Sequence, residues 1–370
     1  MLYIHIPFCK SRCSYCAFHS GTNLAQQAAY TRALCRELAQ RKHFLPTPLL
    51  HSIYFGGGTP STLTAEAFRQ IFAAIRQHFV IAPDAEITVE CNPDDVTDQL
   101  LETLVYLGVN RISMGVQSMN DNELRIVNRR HTAAQVVEAI DICHHNDIHN
   151  ISIDLIFGLP SQTIDSWRQT LDTALALPIT HLSAYNLTIE ENTPLERKIA
   201  QGVLAEVDEE TQLEMFRLLR EQTTAAGFEH YEISNFCKPG FHSHHNSRYW
   251  DGTPYLGIGA AAHSYDGTRR WWNEADTQRY INNDNILHAE DLTTEERYNE
   301  FVFTALRTAK GLDLTVLRER FGDKLLKFCL SEAAPSLEHG LLRKENDRLI
   351  LTPEGILVSN DVMSDLVWVD

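Results

Sequence analysis

Positive charge is what this 370-residue chain is short of: 32 lysines and arginines stand against 49 aspartates and glutamates, a formal net charge of −17. A polyanion is repelled by such a surface unless a local basic patch exists, and none is evident in the sequence, so nucleic acid is not expected as a partner. Long apolar runs are missing too. No stretch approaches the roughly 20 apolar residues of a membrane-spanning helix, and no basic segment followed by an apolar one marks a secretory leader near Met1. A second cluster of cysteines is also absent. Of the eight cysteines, Cys35, Cys91, Cys143, Cys237 and Cys329 are scattered, as expected of small, mostly buried hydrophobes in a reducing compartment. A cytoplasmic location is the expectation. With 44% hydrophobic and 22% charged residues, the chain has the composition of a globular protein, long enough for one large core and a smaller domain.

What the chain does have is three cysteines in one short loop, Cys9, Cys13 and Cys16, reached directly from the apolar run Met1-Leu-Tyr-Ile-His-Ile-Pro-Phe. Thiols separated by three and two residues can wrap one soft metal centre. Three ligands leave one position open, and in a 4Fe-4S cubane that is a fourth iron free to take an exchangeable ligand. A Cys3His zinc site completed by His19 has plausible spacing, but zinc ligands usually come as two separated pairs and no second pair follows.

Downstream, strand and helix patterns alternate. Strands are expected at His51–Phe55, Glu86–Glu90, Arg111–Gly115, Ile151–Phe157 and His181–Leu187, with helices at about Gln26–Lys42, Thr64–His78, Thr97–Leu107, Thr132–Asn146 and Ile164–Leu177. With the first strand this makes six parallel-type units, which require right-handed crossovers. Six units suit either an open doubly wound sheet or a partial barrel. Polar residues stand where these strands end: Gly56-Gly57-Gly58-Thr59-Pro60, Glu90, Gln117, Arg129 and Asp154. The glycine run is read either as a tight turn or as backbone that lets a ligand approach closely, and each polar side chain alone as a solvated charge or a cap.

A polar connector (Glu190–Asp208) leads to an amphipathic helix, Glu209–Ala226, and an extended segment, Tyr231–Phe236. Then comes Phe241-His-Ser-His-His245-Asn246-Ser-Arg-Tyr249-Trp250, with Gly257-Ile-Gly-Ala-Ala-Ala-His263-Ser264 after it. Four histidines here follow no helical or strand periodicity, and a hydrogen-bonded loop is the plain alternative to a ligand site. From Asp291 on, helices at Thr294–Thr308, Leu312–Phe321 and Lys324–Ala333, a hairpin turning at Asn346-Asp347 and a last helix from Thr352 suggest a winged-helix-like unit. Closing the open side of the larger domain suits it better than DNA binding, given the acidic balance.

Cys-x3-Cys-x2-Cys with Tyr15 before the last cysteine resembles the signature of radical S-adenosylmethionine (SAM) proteins. The flanking Tyr-Ile-His-Ile-Pro-Phe-Cys is similar to the branch that holds oxygen-independent coproporphyrinogen III dehydrogenases and heme chaperones. The resemblance covers essentially the whole chain. It implies an α/β fold: a partial (β/α)6 barrel with a small C-terminal winged-helix-like α+β domain, its site at the strand ends. It implies a 4Fe-4S cluster on Cys9, Cys13 and Cys16, with SAM on the fourth iron, cleaved to a 5′-deoxyadenosyl radical in the family. SAM contacts are implied for Tyr3, Tyr15, Gly57, Gly58, Thr59, Glu90, Gln117, Arg129 and Asp154. The stretch His245-Asn246-x-x-Tyr249-Trp250 resembles the heme motif of the chaperones, which implies heme as a further cofactor, His245 on its iron and Asn246, Tyr249 and Trp250 beside it; His242, His244 and His263 are rival donors. The expected division is 1–200 for the barrel, 201–290 for an extension with the heme motif and 291–370 for the C-terminal domain.

Two functions follow. One is a heme chaperone that passes heme to acceptor hemoproteins; the other is radical decarboxylation of coproporphyrinogen III. Dehydrogenases typically carry a fourth cysteine where Phe18 stands and a long segment before the cluster, so both features and the histidine motif favour the chaperone. A homodimer, a peripheral membrane contact and SAM cleavage itself are left open.

Overall fold

The computed structural model describes residues 1–369, so Asp370, the last residue of the expected 291–370 unit, lies outside the described residues. Six strands follow one another with helices between them: β1 (Leu2–Ile6), β2 (Leu49–Gly57), β3 (Val80–Cys91), β4 (Arg111–Gln117), β5 (Asn150–Phe157) and β6 (His181–Asn186). Each pairs in parallel with the next. The sheet is extended at one edge by β9 (Leu256–Ile258), parallel to β1, and at the other by an antiparallel hairpin of β7 (Glu229–Glu232) and β8 (Asn235–Cys237) against β6. This is an α/β fold built on a parallel sheet, with a smaller C-terminal unit.

Parallel strands covered on both faces usually read as continuous hydrophobic runs, but these alternate. Ile53, Phe55, Ile87, Val89, Ile112 and Met114 face the helices in the main core, where Phe55 packs on Phe68 and Phe72. Ser52, Tyr54, Glu86, Thr88, Glu90, Arg111, Ser113, Ser152, Asp154, His181 and Ser183 occupy the alternate positions. Hydrogen bonds such as Ser152 to His181 and Tyr54 to Glu90 join them across strands, so they line a polar interior. Threonines set the helix starts: Thr64, Thr97, Thr132, Thr163 and Thr293 each accept a backbone N–H of the first turn, a cap that contributes on the order of 1 kcal/mol.

Several expectations need correction. The connector at 190–208 contains a helix, Pro194–Ala200, started by Thr193 and Pro194. The segment 231–236 is a hairpin rather than one extended run, because the chain reverses between Glu232 and Asn235. The histidine stretch is a helix, His244–Trp250, too short at seven residues for periodicity to show; Ser243 caps it and the buried Glu86 carboxylate accepts from the His244 and His245 amides at 2.9 and 2.8 Å. After it, β10 (His263–Tyr265), β11 (Arg269–Asn273) and β12 (Leu287–Asp291) form a separate antiparallel sheet. In the C-terminal unit the expected second and third helices do break between them, at Gly322 with φ 82°, but the latter runs on through Pro335 to Glu338. The turn at Asn346-Asp347 has both φ values positive, the hairpin geometry that Asn and Asp tolerate. A second core, from Tyr298 to Leu366, fills this unit.

Candidate functional site

The cysteine loop leaves β1 and is gripped from three sides. The Cys9 amide donates to Gly21 O (2.9 Å), the Ser14 amide to Val127 O (3.0 Å) and the Leu195 amide to Ser14 O (2.9 Å), while the Asn128 side chain donates to Arg12 O (2.7 Å). All three thiols are free of disulfides. Two receive hydrogen bonds at sulfur: Thr59 Oγ1 donates to Cys9 at 3.4 Å and Arg129 to Cys13 at 3.3 Å. Burial, then the neighbouring Cys13 and Cys9, pushes the Cys16 thiol up, a penalty that a bound cation would relieve. Beside it, Lys10 and Arg130 converge on Asp95, which also takes the Ser61 hydroxyl. His19, the ligand a zinc site would need, has its Nε2 against Thr277 Oγ1 at 3.0 Å.

The glycine loop lies along this segment. Gly58 N donates to Ile6 O (2.8 Å) and Thr59 N to Phe8 O (2.7 Å), which brings Thr59 to Cys9. Gly57 has φ +109°, and a Cβ there would stand 2.5 Å from the His5 ring. Its N–H donates to Glu90 at 3.2 Å, and Glu90 also takes the Tyr54 hydroxyl at 2.8 Å. Tyr3 stacks on Tyr54, and its hydroxyl meets His5 Nδ1 at 3.1 Å. Burial raises the Glu90 carboxyl to about 7 despite the Tyr54 hydrogen bond. At the end of β4 a bulge leaves Gln117 buried with φ 70°. Arg129 bonds Asn92 (2.8 Å) and the Gly115 carbonyl as well as Cys13, and Asp154, paired in register with Gly115, is raised by burial against the pull of Ser183. Tyr15 packs on Val127, Ile156 and Leu159. The structure therefore brings Cys9, Cys13, Cys16, Tyr3, Tyr15, Gly57, Gly58, Thr59, Glu90, Gln117, Arg129 and Asp154 to one end of the sheet.

His245 adjoins this site through one ring, Tyr54, which also bonds Glu90. The helix that carries it meets Ser52 and Glu86, register partners in the middle of β2 and β3. Ser52 lies five residues before Gly57, roughly 16 Å along a strand. His245 is 1% exposed, stacked on Tyr54, with Nδ1 at Ser52 (3.0 Å) and Nε2 at Tyr249 (3.2 Å). Burial pushes it down to about 3, so it is neutral; both nitrogens are nonetheless occupied, and iron ligation by His245 requires one of these bonds to break. Asn246, Tyr249 and Trp250 are half-buried on the same helix. His242 is tied to Glu229 (3.5 Å), whereas His244 and His263 are exposed.

Sequence reasoning passed over His5, Tyr54 and Arg111. Arg111 is 1% exposed in the polar interior, and its Nε has no partner among the described residues. The signal was the alternation Arg111-x-Ser113-x-x-x-Gln117 on a strand covered on both sides.

Residues 3–174 match the radical SAM superfamily, and residues 292–358 match the HemN C-terminal domain. A curated relative from Mycobacterium tuberculosis, "Heme chaperone HemW", is 34% identical over 99% of this chain and 94% of its own length. The chain belongs to the HemW family of radical SAM proteins. Another HemW, from Bacillus subtilis, is 34% identical over 97% of each chain. Among solved structures, the radical SAM enzyme coproporphyrinogen III oxidase (HemN) of Escherichia coli superposes with a TM-score of 0.86 at 25% identity, covering 99% of this chain and 89% of that one. Radical SAM membership implies a 4Fe-4S cluster and SAM. The three free thiols with donors on two sulfurs fit the cluster. None of the helices among the described residues is long and apolar enough to cross a membrane.

Proposed function

We propose that this protein is a heme chaperone, holding heme and passing it to acceptor hemoproteins in the cytoplasm. The observation that carries this reading is the near full-length relationship to HemW chaperones; Phe18, 70% exposed where the dehydrogenases have a further cysteine, supports it. Cys9, Cys13 and Cys16 hold the cluster in this reading, and the cluster with SAM supplies one-electron chemistry when bound. Thr59 and Arg129 donate to the ligand sulfurs. Tyr3, Tyr15, Gly57, Gly58, Glu90, Gln117 and Asp154 line the SAM site, with Glu90 and Asp154 offering acceptors to donors on a cationic ligand. The heme contact is assigned to the unit 201–290 through Asn246, Tyr249 and Trp250, with the iron donor drawn from His245, His242, His244 and His263; the units 1–200 and 291–370 are the barrel and its cover.

The superposition on HemN favours a second reading, oxidative decarboxylation of coproporphyrinogen III. Anaerobic purification, hemin titration and a parallel assay of coproporphyrinogen conversion separate the two. A shifted Soret band without decarboxylation is expected; turnover without heme uptake would overturn the chaperone reading.

A further inference from the structure

Although no basic patch is visible along the sequence, folding builds one. A cavity of about 250 Å³ opens between the end of the histidine helix, the small antiparallel sheet and the first helix of the C-terminal unit. Its walls carry five aromatic rings, Tyr249, Trp250, Tyr255, Tyr265 and Phe301. Arg270, Arg297 and Arg320 enter it from three elements, β11 and the first two helices of the C-terminal unit, and Glu300 is the one carboxylate of its lining. Glu300 pairs with Arg270 at 2.7 Å, and Arg320 lies over the Phe301 ring at 4.8 Å. Within the lining that leaves an excess of two positive charges in a chain whose net charge is −17, with Glu290, the register partner of Arg270, beside it. The Trp250 indole N–H, closed off from solvent, has no acceptor among the described residues. Aromatic walls and guanidinium forks together suit a flat apolar molecule with carboxylates on one edge.

The sheet face beside the cavity continues the site. Tyr265 and Arg270 are register partners; two residues along the same strands, about 7 Å away on the same face, His263, Trp272 and His288 form the next row. Trp272 is stacked between the two imidazoles, with ring centroids 5.9 Å from His263 and 5.3 Å from His288. His263 is exposed, and its ring makes no hydrogen bond among the described residues.

We propose that the cavity takes the carboxylate-bearing edge of heme, Arg270, Arg297 and Arg320 binding its two carboxylates, while the macrocycle runs along the sheet face and its iron meets His263. This rests on the chaperone reading and adds where the cargo sits and what recognises it. The cavity is smaller than the roughly 300–1,000 Å³ of a pocket that encloses a whole ligand, which fits a chaperone that must hand its cargo on with most of the ring accessible.

The test is a titration of the full-length wild type with hemin and with hemin dimethyl ester, followed at the Soret band. The ester keeps the iron and the ring but lacks both charges. Binding weaker by roughly tenfold to a hundredfold is expected for the ester, as for loss of charge-assisted hydrogen bonds. The combined Arg270→Gln, Arg297→Gln, Arg320→Gln variant should bind hemin as poorly as the wild type binds the ester, and should not distinguish the two. His263→Ala should move the Soret maximum. Should hemin and its ester bind alike, or the triple variant still prefer hemin, the carboxylates are held elsewhere and the proposal fails; an unmoved Soret band in His263→Ala removes the iron donor. Failure of the wild type to take up hemin at all would instead sink the chaperone reading itself.

Discussion

Glu90 is a carboxylate kept half out of water without a cation bonded to it. Its two donors, the Tyr54 hydroxyl and the Gly57 amide, are neutral, and they do not offset the loss of solvation, so its pKa stands near 7 instead of 4.5. The folded state therefore binds a proton more tightly than the unfolded one, and stability from this group is present below about pH 4.5 and lost as pH rises through about 7. At pH 8 the burden is on the order of 3 kcal/mol at most. Glu90→Gln, which keeps an acceptor for Tyr54, should melt close to the wild type at pH 5 and above it at pH 8 in cluster-free protein; a difference constant across that range would exclude this account. His245 shows the opposite economy, a buried neutral ring with both nitrogens satisfied. Its replacement by Ala opens a void beneath Tyr54 and strands the Ser52 hydroxyl, a loss of about 2–4 kcal/mol. Thermal melting should show that loss, while the Soret maximum of hemin-loaded protein stays in place. The closeness of the three cysteines was legible in sequence because their spacing is local, and the place of Glu90 because it stands next to the end of β3; Asp154 lies in the middle of β5 instead of at its expected end, and the engagement of both His245 nitrogens was hidden because Ser52 lies 193 residues away.

Among elements, the parallel strands were the most legible, since β-branched runs closed by glycine or polar residues repeat with helices between them. Short pieces were the least. The helix His244–Trp250 is held by Glu86, 158 residues before it, and β7, β8 and β9 are strands only because β6 and β1 offer edges to pair with. The glycine loop teaches a similar lesson. Its composition suggested room for a ligand, yet Gly57 is required first by the chain itself, through its φ of +109° and the His5 ring 2.5 Å from where a Cβ would be. Gly57→Ala should destabilise the SAM-free protein by roughly 1–3 kcal/mol, measured by urea unfolding. Unchanged stability would free this position to be read as ligand clearance alone; the expected loss means that weak SAM binding in such a variant reports the turn.

At the scale of the whole molecule, Arg307 fastens the C-terminal unit to the sheet. Its Nε–H donates to Glu232 at 2.8 Å, its Nη2 to Ser234 at 3.2 Å, and its guanidinium covers the Trp250 ring at 4.6 Å. The Glu232 side chain is fully buried, so removing the cation leaves a carboxylate with only the Ser234 amide and the Asn235 side chain to satisfy it. Two backbone bonds, Ile233 N to Arg307 O and Ala309 N to Tyr231 O, survive any substitution, and they keep the unit attached while the ion pair is lost. Arg307→Ala should therefore cost about 3 kcal/mol, the low end for breaking a buried pair because Arg307 is itself partly exposed. The loss falls on one junction between two separate cores, so calorimetry should resolve two transitions in the variant and a single one in the wild type, with faster amide exchange confined to the β7–β8 hairpin and the helix Thr294–Leu306. The same junction forms one side of the three-arginine cavity, through Trp250 and Phe301. Hemin affinity should fall with the junction even though Arg307 is not among the residues assigned to the carboxylates, and a variant that melts in one transition with unchanged hemin binding would show that the second core folds onto the first without this pair.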